Sequence, residues 1–178
     1  MASQTVLSLA EFARMEDPPG KILELSEGEL IVSPSSSQMH NTVRDNINAR
    51  LRAFVKEHDL GIVACEADLI LAPHTVRRPD VAWIGKDKIT GLDLDQSPLP
   101  AAPDVVIEIV SRHDRAPDLE LKTRQYLAAG ARAVWLLDPR ARTARRYRPQ
   151  STEPEFRDRW EEPQLLPGFT FTLSEVLE

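Results

Sequence analysis

Glu108 lies in the middle of an apolar run, Asp104-Val-Val-Ile-Glu-Ile-Val110. The run reads as a buried β-strand, and alternation puts Glu108 on one face with Val106 and Val110. An ionised carboxylate left there without a partner would cost several kcal/mol, roughly. A cation must therefore sit against it, either a basic side chain or a metal ion. Asp80 supplies a second carboxylate, because Pro79-Asp80 opens another apolar strand, Val81-Ala-Trp-Ile84. Lys122 lies on a helix shortly after the Glu108 strand. Leu119, Lys122 and Tyr126 fall three and four residues apart, so they share one face, and that face points inward over the sheet. Two strand carboxylates and an inward lysine suit divalent-metal hydrolysis of a phosphodiester. Mg²⁺ (or Mn²⁺) prefers one or two carboxylates plus waters. Asp80 and Glu108 would hold the ion. Lys122 would orient or deprotonate the attacking water, or stabilise the transition state. A buried Glu108–Lys122 salt bridge without catalysis fits the same residues equally well, because structural ion networks also perturb pKa values.

The surrounding elements must bring these residues together. Ser8 caps a short helix, Leu9 to Met15, with Glu11 completing a capping box. Ile22-Leu-Glu-Leu25 and Glu29-Leu-Ile-Val32 flank Ser26-Glu-Gly28 as an N-terminal β-hairpin. After a serine loop, a long helix is predicted from Gln38 to His58, with Val43, Ile47, Leu51, Phe54 and Val55 on its core face. Strands are predicted over Ile62–Leu71 and Arg78–Gly85, with a turn at Ala72–Thr75 between them. Lys86 to Ala102, holding Gly91, Pro98 and Pro100, reads as a long surface loop. A helix starting at Pro117 and closing at Gly130 joins the Glu108 strand to a second buried strand, Ala133-Val-Trp-Leu-Leu137. This strand-helix-strand unit is expected to be a right-handed crossover. Thr143 to Arg148 should pair with the second strand as a meander. A strand near Phe169–Thr172 and a helix from Ser174 end the chain. The whole fits one α/β domain over residues 1–178, a central mixed sheet flanked by helices.

Composition narrows the function classes. The chain has 178 residues, 42% of them hydrophobic and 28% charged, as expected of an ordinary globular protein. No apolar run approaches the roughly 20 residues of a membrane span. The N-terminus does not look like a signal peptide, and the single Cys65 permits no internal disulfide, so the cytoplasm is the expected compartment. A net charge of −6 argues against a general nucleic-acid coating protein. It leaves a nuclease open, since metal-holding carboxylates add to the acidic count. Arg140, Arg142, Arg145, Arg146 and Arg148 crowd into nine residues. They read either as a solvated strand edge, which is slightly favoured, or as a rim contacting phosphates.

Pro79-Asp80, Glu108 and Lys122, in that order, resemble the PD-(D/E)XK nuclease superfamily. Within it, the chain resembles a branch named for restriction endonucleases, formerly a domain of unknown function. The resemblance rests on Leu23-Glu-Leu-Ser-Glu-Gly-Glu-Leu30, Ser33-Pro-Ser-Ser-Ser-Gln-Met-His40, Arg77-Arg-Pro-Asp-Val81, Pro103-Asp-Val-Val-Ile-Glu-Ile-Val-Ser111, Lys122-Thr-Arg-Gln-Tyr126, Gly130 and Val134-Trp-Leu-Leu-Asp138. It covers nearly the whole chain. It implies a restriction-endonuclease-like core and Mg²⁺-dependent cleavage of DNA. In the superfamily pattern the lysine stands two residues after the glutamate; here Val110 holds that place, and Lys122 on the following helix takes its role. Glu29 and His40 also match the branch, as a further metal ligand or an acid or base, while a helix-start residue hydrogen-bonded to the preceding serine loop fits His40 about as well.

Other groupings are weaker. Ser111, His113 and Asp114 lack a nucleophile-elbow sequence, so Ser111 is read as a strand end. Trp83 and Trp135 are read as sheet core. Two rival classes remain: a non-catalytic protein that keeps the fold and its ion pair, and a metal-dependent hydrolase of RNA or another phosphoester. A homodimer would suit an enzyme that cuts both strands of a duplex.

Overall fold

The computed structural model describes residues 6–150 and 154–178. Helix α1 (Leu9–Phe12) starts at Ser8, whose hydroxyl accepts from the Glu11 N–H while the Glu11 carboxylate accepts from the Ser8 N–H. It ends earlier than its pattern suggested, where the chain tightens into turns in which the Arg14 and Met15 N–H groups reach Glu11 O and Phe12 O. Strands β1 (Lys21–Ser26) and β2 (Glu29–Pro34) form the expected hairpin, with Ser26 opposite Glu29. Glu27 and Gly28 both adopt positive φ, 54° and 86°, as a two-residue turn with matched twist requires. Helix α2 (Gln38–Glu57) begins at Ser37, whose hydroxyl caps the His40 N–H.

Next come β3 (Gly61–Cys65), β4 (Leu69–Ala72), β5 (Thr75–Arg77) and β6 (Val81–Gly85). The chain continues through α3 (Lys86–Ile89), β7 (Val105–Ile109), α4 (Ala116–Ala128), β8 (Ala133–Asp138) and β9 (Thr143–Tyr147). It closes with β10 (Glu155–Arg157), β11 (Arg159–Glu161), β12 (Thr170–Thr172) and α5 (Leu173–Leu177). The main sheet has six strands in the order β10-β9-β8-β7-β6-β3. Only the β7–β8 pair, joined through α4, is parallel. A second sheet of four strands runs β2-β1-β5-β4, and β11 pairs with β12.

Of two expected strands, one is broken in two and the other is shortened. The segment 62–71 becomes β3 in the six-stranded sheet and β4 in the four-stranded one. The chain turns between them at Glu66, which has φ 48° and donates its N–H to Pro79 O. The segment 78–85 loses its start, because Pro79 has no N–H to give a ladder. The strand before it, β5, belongs to the small sheet and β6 to the large one. The chain therefore changes sheets twice at adjoining points, and Asp80 sits at the second change. The 86–102 segment is also not a plain surface loop. It forms α3 and buries Leu99, which bridges to Leu69.

One face of the large sheet packs against α2. Val43, Ile47, Leu51 and Val55 meet Val105, Ile107, Ile109 and Trp135, as the helical period requires. Burying each such side chain stabilises the fold by about 1.5–3 kcal/mol. On the other face, Val106, Val134 and Leu136 pack under Tyr126 of α4. Strand β9 lies between β8 and β10, so the reading of 143–148 as a solvated edge is corrected. Arg146 is buried there over the Trp135 ring and pairs with Glu155 and Glu162. Glu162 is fully buried and is satisfied by Trp135 Nε1 at 2.8 Å and Arg148 at 2.6 Å. Among the described residues, no helix is long and apolar enough to cross a membrane.

Candidate active site

Strand register brings the first two carboxylates together. Strands β6 and β7 are antiparallel, with Val81 opposite Ile107, so one residue further on Asp80 falls beside Glu108. The Ile109 N–H donates to Asp80 Oδ2 at 2.7 Å and fixes that carboxylate. His40 Nε2 meets the same oxygen at 3.1 Å, reaching it from the capped first turn of α2. His40 Nδ1 is buried with no hydrogen-bond partner among the described residues.

Glu108 is 6% exposed. Its Oε1 accepts from Tyr126 O–H at 2.7 Å and pairs with Lys122 Nζ at 3.0 Å. The shared α4 face of Lys122 and Tyr126 thus turns toward β7 as the spacing predicts. Lys122 also pairs with Glu24 Oε1 at 3.2 Å. Glu24 escapes the sequence reading, which takes Glu29 from the same hairpin instead. Glu29 is exposed at the start of β2 and does not line the cleft. Yet the signal that singles out Glu108, a carboxylate inside an apolar strand, also marks Glu24 between Leu23 and Leu25. Glu24 is held by the Arg78 N–H at 2.7 Å and by Arg77 Nη1 at 3.3 Å. Arg77 is itself buried, and donates further to Ser26 Oγ and Gln125 Oε1.

Electrostatics follow from burial. Desolvation is the main force on Glu108, and nearby Asp80 and Glu24 add to it; together they outweigh Lys122 and Tyr126 and push its pKa from 4.5 to about 7. Burial also works against the charged form of Lys122, but Glu108, Glu24 and Asp80 prevail and raise its pKa above the usual lysine value. Lys122 is therefore an ammonium at every physiological pH. For His40, burial is again the largest influence and lowers the pKa, but the bond to Asp80 and the Asp80 and Glu108 charges together raise it.

The raised Glu108 pKa has a sign. A carboxylate that binds its proton more tightly when folded contributes stability below pH 4.5 and loses it as pH rises through about 7. The metal-free protein should accordingly lose melting temperature across that window, and Glu108→Gln should flatten the trend. Thermal melts of both proteins from pH 4.5 to 8 check this.

The donor set suits a hard divalent cation. Among the described residues, Asp80 Oδ1 and Glu108 Oε2 have no hydrogen-bond partner, while the other oxygen of each carboxylate is taken. No cluster of three or more acidic, histidine or cysteine side chains among the described residues makes a full protein cage. Mg²⁺ does not need one, since waters and phosphate oxygens complete its shell.

These groups line a cleft of about 480 Å³. His40, Glu24 and Lys122 border it, with the Ser33–Ser37 loop, Arg112–Arg115 and Arg140 at its margin. Ser111 follows the end of β7, and its N–H is held by Asp114 in a loop turn, with no triad geometry. Arg142, Arg145 and Arg146 do not line the cleft.

The mixed sheet, with an acid at the sheet change, an acid inside the next strand and a lysine on the helix behind it, is a restriction-endonuclease-like arrangement. Residues 9–174 match the model of the Uma2 family, described as "Putative restriction endonuclease", and the chain belongs to that family. Its fold is similar to the crystal structure of a "putative nuclease" of the DUF820 group from Anabaena variabilis, with a TM-score of 0.83 and 21% identity. That likeness covers 96% of this chain and 97% of the other. No curated protein matches.

Proposed function

We propose that the protein is a divalent-metal-dependent endonuclease that hydrolyses phosphodiester bonds of DNA at this cleft. The observation that carries the reading is the pair of adjoining carboxylates, Asp80 and Glu108, each with one oxygen committed to the protein and one left over. Family membership and the structural neighbour, itself described as a "putative nuclease", support the same reaction class. Asp80 and Glu108 would hold Mg²⁺ or Mn²⁺. When bound, such an ion supplies an acidified water and neutralises phosphoryl charge.

The chain's own residues have separable tasks. The Ile109 N–H and His40 orient Asp80. Tyr126 and Lys122 fix Glu108 through Oε1. Lys122 stays protonated, so of the roles open to it from sequence the fitting one is stabilising negative charge on the transferring phosphoryl group, and proton abstraction is disfavoured. Glu24 holds the ammonium from its other side.

Titration calorimetry with Mg²⁺ and Mn²⁺ tests this, on the wild type and on an Asp80→Asn, Glu108→Gln double variant. Binding is expected in the wild type at pH 8, weaker at pH 6 where the Glu108 proton competes, and lost in the double variant. Equal heats from both proteins would favour the non-catalytic ion-pair reading.

A further inference from the structure

The arginines around the cleft fall into two groups. Arg77 and Arg78 are spent on carboxylates, Arg77 on Glu24 and Arg78 on Asp68 and Asp17. Arg112, Arg115 and Arg140 are exposed, line the cleft, and have no carboxylate partner among the described residues. All three come from the segments that leave the C-terminal ends of β7 and β8. Those strands are adjacent and parallel, so their following segments emerge side by side. The lining from β2, the Ser33–Ser37 loop and the first turn of α2 carries no lysine, arginine or carboxylate. It comprises Ile31, the serine loop, Met39, whose side chain is exposed, and His40, whose ring is held by Asp80.

A nucleic-acid strand has the same asymmetry, with phosphates along one side and sugars and bases on the other. A duplex presents two backbones, and its non-specific affinity comes from the number of phosphates neutralised. Among the described residues, this cleft's arginines without a carboxylate partner come from one pair of neighbouring segments, which also bring Asp114, held by the Ser111 N–H, and Asp118 to the lining, on a chain whose net charge is −6. Resting on the nuclease reading above, we propose that Arg112, Arg115 and Arg140 grip the backbone of a single nucleic-acid strand, whose bases lie against Ile31, Met39 and the serine loop. The substrate class is thus unpaired DNA or an unpaired segment within it. Arg142, Arg145 and Arg146 take no part, since Arg146 is used internally and Arg142 and Arg145 lie off the cleft.

Fluorescence anisotropy with a labelled mixed-sequence 20-nucleotide strand, and with the same strand as a duplex, tests the proposal in chelator so that no cutting occurs. The single strand should bind at least about tenfold tighter than the duplex. An Arg112→Gln, Arg115→Gln, Arg140→Gln triple variant should lose about tenfold in affinity. Its salt slope should fall by about 2, roughly 0.7 for each phosphate that is no longer neutralised. An Arg142→Gln, Arg145→Gln variant should bind as the wild type does. Equal duplex affinity, an unaltered triple variant, or an equal loss in the Arg142/Arg145 variant would overturn the proposal. Cleavage in Mg²⁺ is read in parallel. Arginine-dependent strand binding without cleavage would sink the hydrolytic reading alone, and cleavage indifferent to the three arginines would sink the grip alone.

Discussion

Glu108→Gln should abolish DNA cleavage, by at least about a hundredfold, while leaving the fold intact. The substitution keeps the size of the side chain and leaves an amide oxygen to accept from Tyr126 O–H and Lys122. Lys122 retains Glu24 as a counter-charge at 3.2 Å, so no buried cation is orphaned. What disappears is the negative charge beside Asp80 and the free carboxylate oxygen. Removing a charge that burial already disfavours should not lower stability at neutral pH. Cleavage of an end-labelled substrate, together with thermal melts, separates the two effects. An active variant would take Glu108 out of the chemistry.

Lys122→Ala should do two things. It leaves Glu108 and Glu24 facing each other inside the protein without their shared cation, and breaking a buried pair in this way costs about 3–5 kcal/mol. Proton uptake by Glu108 will return part of that. The variant should therefore melt well below the wild type and remain folded in the cold. At such a temperature cleavage should still be lost by at least about a hundredfold, because no ammonium faces the phosphoryl group. Urea titration and cold-temperature cleavage rates on the same preparation check both parts. Activity that merely tracked the folded fraction would make Lys122 a structural residue.

The parts of this site legible in the sequence are those that local rules govern. A carboxylate among Val106, Ile107, Ile109 and Val110 demands a cation, and helical spacing puts Lys122 and Tyr126 on the face that provides it. His40 is visible only as a matched position, and the structure places its ring on Asp80. Glu24 carries the same local signal as Glu108. It escapes notice because a hairpin reads as a peripheral element, and nothing local says that β1 lies beside α4. Arg77 is equally opaque, since its partners are Glu24, Ser26 and Gln125, two of them about fifty residues earlier and one about fifty later.

The fold shows the same division. Periodicity marks α2 and α4 nearly to their ends, and the β7-α4-β8 unit with them. It cannot show that the chain changes sheets at Glu66 and Pro79, because an apolar strand looks alike whichever sheet it joins. Nor can it show that β10 covers β9, which turns an expected solvated edge into the buried Arg146–Glu162 network.

The central claim is that this cleft cuts phosphodiester bonds with a divalent cation held by Asp80 and Glu108. Its most direct test is a cleavage time course on end-labelled single-stranded and duplex DNA with the purified wild type. The reaction is run in Mg²⁺, in Mn²⁺ and in excess chelator, beside Asp80→Asn under the same conditions. The account predicts internal cleavage in at least one metal, none in chelator and none with Asp80→Asn. A folded wild type that leaves both substrates whole in both metals, or one that cuts equally well in chelator, would contradict it.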